Sequence, residues 1–242
     1  SALRNLPPHA ALDGGHIHLR LGTRHMTMGE IEPAQEHYGI AIEIAESANH
    51  QILTLMVRGQ QAFLAGERGD VTEAMRLGRI QIAEAKRLGD AHTQIIILAN
   101  MALQVLAEDE LALSAALLEE CQRVPGYTSQ PRIQGFCTLT TAVRQHLSGR
   151  LDEAASTYRQ GIDILRGVDD RTRIRGQVTA VALMADMGSL DEAKEILDEC
   201  SGVEAHGEFP QTIEVMRAYM QLATAQHNGD ELPVDAVEAQ LT

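Results

Sequence analysis

The chain has 242 residues, of which 44% are hydrophobic and only 3% aromatic, and it contains no tryptophan. Its formal net charge of −14 at pH 7 argues against a nucleic-acid-binding surface, because such surfaces are basic. Three cysteines are too few and too scattered for a disulfide framework or a zinc site, and no apolar run is long enough to span a bilayer. We therefore expect a cytoplasmic protein with no membrane contact, packed through aliphatic side chains. Because Ser1 opens the chain without Met, we also expect a piece of a longer protein.

Apolar residues recur every three or four positions along the whole chain, which is the period of an amphipathic α-helix. Turn residues interrupt this pattern at regular intervals, and a glycine after a helix readily adopts the left-handed conformation that ends it. The turns within helix pairs are predicted at Gly29, Gly69, Asp109, Gly149, Gly188 and Gly229. In chain order the predicted helices cover about 10–28, 31–47, 51–67, 71–88, 91–107, 111–123, 131–148, 151–166, 171–187, 190–200, 210–227 and 233–241.

A small residue recurs at the same place in successive helix pairs. Ala34, Ala74, Ser114 and Ala154 are each 40 residues apart, and Ala193 follows 39 residues later. A fixed period of this size is typical of stacked repeats, in which a small side chain lets two helix axes approach to about 8–10 Å. We expect one repeat domain over 1–242, with units at about 10–48, 51–89, 91–124, 131–168, 171–203 and 210–242.

Several units carry the spacing of a known repeat. The first contains Leu21-Gly22, Gly29, Ala34, Tyr38 and Ala41, and the fourth contains Ala142, Gly149, Ala154, Tyr158 and Gly161. This pattern resembles the tetratricopeptide signature over about residues 10 to 230. The resemblance implies an all-α fold, a right-handed superhelical solenoid of antiparallel helix pairs.

The period of about 40 residues is longer than the usual 34 of this family. Repeats of this length are similar to those in the sensor region of LuxR-type bacterial transcription activators, such as the maltose-regulon activator. They also resemble quorum-sensing peptide receptors and LGN-type scaffolds. The resemblance implies a part in signalling or transcription regulation, as a sensor or scaffold.

In tetratricopeptide stacks the first helix of each pair lines a concave groove, so the resemblance also implies a binding strip. Asn100 is the one residue on it that suits the family's carboxylate clamp, which argues against a chaperone co-factor role. An apolar strip suits an amphipathic helix or an apolar peptide, from a partner or from another domain of the same protein. The alternatives are a closed core and a homodimer that associates through the same residues. The predicted partner-binding residues are Leu19, Met26, Phe63, Ile96, Asn100, Leu103, Leu106, Phe136, Leu139, Val143, Val178 and Tyr219.

No phosphate-binding loop, nucleophile elbow or metalloprotease helix occurs in the sequence, so we expect no catalytic residues and no cofactor. Six of the ten histidines fall in the first 50 residues, but His18 and His25 occupy packing positions of the repeat, and we expect no metal site. The sequence therefore predicts a non-enzymatic protein or peptide interaction domain. A small-ligand-sensing domain of a transcription activator is the alternative function.

Overall fold

A computed structural model describes residues 8–201 and 210–231, which are helical apart from short turns. The predicted last helix, 233–241, lies outside the described residues. The helices are α1 Pro8–Thr27, α2 Ile31–Ser47, α3 Gln51–Glu67, α4 Val71–Leu88, α5 Ala91–Gln104, α6 Leu111–Arg123, α7 Pro131–Leu147, α8 Leu151–Leu165, α9 Asp170–Asp186, α10 Leu190–Ser201 and α11 Pro210–Asn228. Short 3₁₀ turns follow α5 at Val105–Glu108 and precede α7 at Tyr127–Ser129.

The helices form two compact units, divided between Thr128 and Ser129. Unit 1 contains α1 to α6, and unit 2 contains α7 to α11. The predicted single domain and the predicted right-handed superhelix both concern how these units are arranged, and they stay predictions.

Within each unit, helices that follow one another in the chain pack as antiparallel hairpins. In the first hairpin, a Cβ atom at Gly15 would lie 3.1 Å from Ile44, and one at Gly22 would lie 2.6 Å from the ring of Tyr38. Contacts between the middle of α1 and the end of α2, and between the end of α1 and the middle of α2, require opposite directions. The predicted all-α architecture of helix pairs is confirmed for the described residues.

The predicted turns within the pairs share one backbone geometry. All six turn residues have a left-handed φ, from 57° at Asp109 to 83° at Gly69. The residue that follows donates its N–H to a carbonyl five residues back, as Asp70 does to Ala65 at 3.0 Å. This Schellman bond satisfies a carbonyl that the helix end would otherwise leave unpaired. The turn prediction is therefore confirmed at each of the six positions.

The small-residue position of the repeat lies in the core of both units. Ala34, Ser114, Ala154 and Ala193 are fully buried, and Ala74 is 1% exposed. Ser114 is accommodated because its hydroxyl donates a 2.7 Å hydrogen bond to the carbonyl oxygen of Ala102, on the preceding helix. A larger side chain at this position would separate helices that pack in direct contact.

Candidate functional site

The first helices of successive pairs run parallel within a unit, so the predicted strip residues of α3 and α5 lie on neighbouring helices. In unit 1 a Cβ atom at Gly59 would lie 3.6 Å from Ile97, and one at Gly66 would lie 2.2 Å from Gln104 Nε2. Residues 38 apart on α3 and α5 are therefore at the same level. Gln104 also donates a 2.8 Å hydrogen bond from its Nε2 to the carbonyl oxygen of Phe63. This bond joins α5 directly to α3 beside the strip.

The part of the predicted site on α3 and α5 reaches the surface. The predicted residues Phe63, Ile96, Asn100 and Leu103 are half-buried, and Met56, which lies two turns before Phe63 on α3, is 37% exposed. We call these five residues the unit 1 strip. Four of them are apolar, so the strip presents apolar surface on two helices that are packed side by side.

Three other predicted residues of unit 1 are buried in helix packing. Leu19 and Met26 on α1 belong to a core cluster that includes Tyr38 and Leu53, so they hold α1 against α2 and α3. Leu106, in the 3₁₀ turn after α5, is 5% exposed. These side chains stabilise the fold and offer little area to a partner.

In unit 2, Leu139 and Val178 are core residues, 6% and 2% exposed. Leu139 fills the space left by two glycines, because Cβ atoms at Gly161 on α8 and Gly176 on α9 would lie 2.8 and 2.5 Å from its side chain. Phe136, the third predicted residue of this group, remains half-buried. Leu139 therefore joins three helices, which is a packing role.

The remaining predicted residues of unit 2, Val143 and Tyr219, are half-buried and pack at the edge of its core. The Tyr219 hydroxyl on α11 donates to Asp186 on α9, and the other carboxylate oxygen of Asp186 lies 2.7 Å from Nε2 of His146 on α7. The hydrogen bond to Asp186, together with burial, raises the pKa of Tyr219 to about 12. The pairing of His146 with Asp186 was not predicted, although their separation of 40 residues is the repeat period.

The N-terminal histidines lie in contact with one another. Nδ1 of His18 is 2.8 Å from Nδ1 of His37, and the rings of His25 and His37 stack with their centroids 5.2 Å apart. His25 Nδ1 lies 2.5 Å from a carboxylate oxygen of Glu30. In the part of the chain that the structure describes, no group of three or more His, Cys, Asp or Glu side chains is arranged to hold a metal ion.

No helix among the described residues has the length and apolar character needed to cross a membrane. These residues form pairs of antiparallel α-helices, with left-handed turns and buried small residues in both units.

Comparison with known proteins found no matching family model and no matching curated protein. Among solved structures, the chain is similar to the nearly identical TPR-like repeats of a Podosopora anserina protein described as a kinesin light chain. That match has 18% identity and a TM-score of 0.48, and it covers 79% of this chain and 95% of the other. A tetratricopeptide repeat protein from Parabacteroides merdae matches at 14% identity with a TM-score of 0.42, over 95% of this chain and 98% of the other.

Proposed function

We propose that the unit 1 strip binds an amphipathic helix of a partner protein, and that the chain is a non-enzymatic interaction domain. The observation that supports this proposal is that partly exposed apolar side chains lie on two adjacent parallel helices. Met56 and Phe63 are on α3, and Ile96 and Leu103 are on α5. A helix whose apolar residues lie at positions i, i+3, i+4 and i+7 fits a surface of this kind.

The backbone beneath the strip is held in place before any partner arrives. The hydrogen bond from Gln104 to the Phe63 carbonyl ties α3 to α5, and Phe63 packs against the core cluster of α1, α2 and α3. A surface that is already ordered loses little conformational entropy on binding. The half-buried ring of Phe63 and the side chain of Leu103 are therefore suited to anchor an inserted apolar side chain.

The charge of the chain favours a basic partner. With 34 acidic and 20 basic residues, the protein attracts cations, and complementary charge speeds association and favours correct partners. We therefore propose a partner helix with an apolar face toward the strip and lysine or arginine residues on its flanks. A role as the sensor or scaffold part of a bacterial cytoplasmic regulator rests on the resemblance of the long repeats alone.

The test uses the full chain and a fluorescein-labelled 18-residue peptide of leucine and lysine, with leucines at helical spacing. A scrambled peptide of the same composition has no apolar face. We expect fluorescence anisotropy to show binding of the amphipathic peptide and at least tenfold weaker binding of the scrambled one. The double variant Met56→Gln/Leu103→Gln removes apolar area without adding charge, and we expect it to weaken binding about tenfold.

The matched control is Ile80→Gln, on α4. Ile80 is 48% exposed and lies outside the strip, so its loss should leave the affinity unchanged. Equal weakening by Ile80→Gln, or equal binding of the scrambled peptide, would contradict the proposal. Stabilisation of the chain by small apolar metabolites without any peptide binding would favour the ligand-sensing alternative, and a dimer broken by the strip variant would favour self-association.

A further inference from the structure

His50 caps the N-terminus of α3 through a side-chain nitrogen. The backbone N–H of Leu53 donates a 3.1 Å hydrogen bond to Nδ1 of His50. The next repeat of unit 1 places Asp90 at the corresponding position, where the carboxylate accepts from the N–H of Thr93 at 3.0 Å. A carboxylate accepts this hydrogen bond throughout the neutral range, whereas an imidazole accepts it only while Nδ1 carries no proton.

A second contact, between α1 and α2, also needs an unprotonated nitrogen. The Nδ1 atoms of His18 on α1 and His37 on α2 are 2.8 Å apart, so one must donate while the other accepts. Two imidazolium rings in this position would direct two N–H groups and two positive charges at each other. The native hairpin thus keeps at least one histidine of the pair neutral, in addition to His50.

We infer that the first helix hairpin and the start of α3 are pH-sensitive, because proton uptake at the His18–His37 pair weakens the contact of α1 with α2 and proton uptake at His50 removes the cap of α3. Both proton-accepting sites lie within this hairpin and the turn that joins it to α3. Acid therefore acts at one end of unit 1 and leaves the Asp-capped helix α5 unaffected.

The other titratable groups that face these rings act in both directions. His16 lies edge-on to His50 with the ring centroids 6.3 Å apart, and protonating both would add repulsion. Glu36 favours the charged form of His18, and a carboxylate oxygen of Glu30 lies 2.5 Å from Nδ1 of His25. Acid therefore removes the contacts that need a neutral imidazole, and the nearby carboxylates partly oppose this loss.

At His18 the balance favours the neutral ring. Burial, and then the neighbouring His37, hold its pKa below the ordinary value, although Glu36 opposes the shift. A histidine whose pKa is lower in the folded state stabilises the fold above the unfolded-state pKa of about 6.5. That stability is lost as the pH falls from about 6.5 toward the folded-state value.

Hydrogen exchange measured by mass spectrometry on the full chain tests this inference at pH 7.5, 6.5 and 5.5, after correction for intrinsic exchange. For each proton taken up, the open fraction of α1, α2 and the start of α3 should rise by up to about tenfold per pH unit below pH 6.5. Helix α8 contains no histidine and should keep its protection. Equal protection of the first hairpin at all three pH values would overturn the inference.

The double variant His37→Gln/His50→Asp provides the second arm. Asp is the capping residue that Asp90 already supplies in the next repeat, so the cap should persist while its pH dependence disappears. We expect acid to open the variant less than the wild type, with a residual response from the half-buried ring of His18. The single variant His50→Asp should show an intermediate response, and His92→Gln, at an exposed site in unit 1, should behave as the wild type. An unchanged pH response in both His50 variants would contradict the inference.

Discussion

Tyr38 and Tyr158 occupy the same position of their repeats, 120 residues apart, and both side chains are fully buried. Their hydroxyl groups nevertheless differ. Tyr38 donates toward Thr23 Oγ1 at 3.4 Å and Gln60 Oε1 at 3.5 Å, whereas the Tyr158 hydroxyl has no hydrogen-bond partner among the described residues. The repeat position of Thr23 is taken by Val143 near Tyr158, and this accounts for the difference.

Replacing each tyrosine by phenylalanine should distinguish the two sites. Tyr38→Phe removes the hydroxyl that donates toward Thr23 and Gln60, and should lower the free energy of unfolding by about 0.5–1.5 kcal/mol. Tyr158→Phe removes an unpaired buried hydroxyl and should be neutral or stabilising by about 1 kcal/mol. Urea unfolding followed by circular dichroism measures both. A loss at Tyr158 as large as that at Tyr38 would contradict this prediction.

Val143→Thr should supply the missing acceptor for Tyr158, since it places a hydroxyl where Thr23 serves Tyr38. Threonine at a half-buried valine site carries its own desolvation cost, so the informative quantity is the coupling between the two positions. A double-mutant cycle with Tyr158→Phe should give a favourable coupling of about 0.5–1.5 kcal/mol. Additive effects in the cycle would show that no such hydrogen bond forms.

Two glycines in the first hairpin should respond in opposite directions to alanine. A Cβ atom at Gly22 would lie 2.6 Å from the ring of Tyr38, so Gly22→Ala should cost about 1–3 kcal/mol. Apart from its chain neighbours and the backbone of its own helix, no heavy atom lies within 4 Å of a Cβ atom at Gly39, in the middle of α2. Gly39→Ala should therefore stabilise the helix by about 0.5–1 kcal/mol. Thermal unfolding shows whether each variant is more or less stable than the wild type. A change in the same direction for both variants would contradict this prediction.

The contribution of Asp169 to the free energy of unfolding should depend on pH. Burial would raise its pKa, but hydrogen bonds from the Thr172 side chain and backbone, with the Arg132 guanidinium, bring the net pKa below its ordinary value. A carboxyl with a lowered pKa stabilises the fold above about pH 4, and this stability is lost as the pH falls further. Asp169→Asn keeps the capping oxygen and should cost about 0.3–1 kcal/mol at pH 7.

Urea midpoints of the wild type and of Asp169→Asn at pH 7, 5 and 3 measure this dependence. The difference in urea midpoint between the wild type and the variant should be equal at pH 7 and 5 and should be smaller at pH 3. Asp170→Asn, at the exposed neighbouring residue that pairs with Arg173, is the control and should cost less at pH 7. A gap that grows toward pH 3 would contradict the assigned sign.

The helix pairs and their turns followed from the sequence because local physics specifies them. The type and spacing of the residues predicted the turns with a left-handed φ and the small residues that recur about every 40 positions. The structure confirms the left-handed turns and the burial of the small residues. Asp109 was recognised as a turn residue although it is not glycine, because it falls at the same position of the repeat. A short polar side chain tolerates the left-handed conformation.

The binding strip followed from the sequence only in outline. Repeat position indicates which side of a helix a residue lies on, but the depth of burial depends on neighbours that are distant in the chain. Leu139 and Phe136 are both on the predicted strip, yet Leu139 fills the space above two glycines while Phe136 remains half-buried. The histidine contacts of the first hairpin were likewise beyond the sequence, because they depend on side-chain directions from two helices.

By itself the sequence determined the all-α class, the helix pairs and the residues that join them, since these depend on short-range conformational preferences and on a repeated period. Tertiary structure alone decided which apolar side chains are core and which form the unit 1 strip. It also decided that His18 contacts His37 across the first hairpin and that the Tyr158 hydroxyl has no hydrogen-bond partner among the described residues. Burial and hydrogen-bond pairing are properties of several helices together, so they emerge only when the pairs pack against one another.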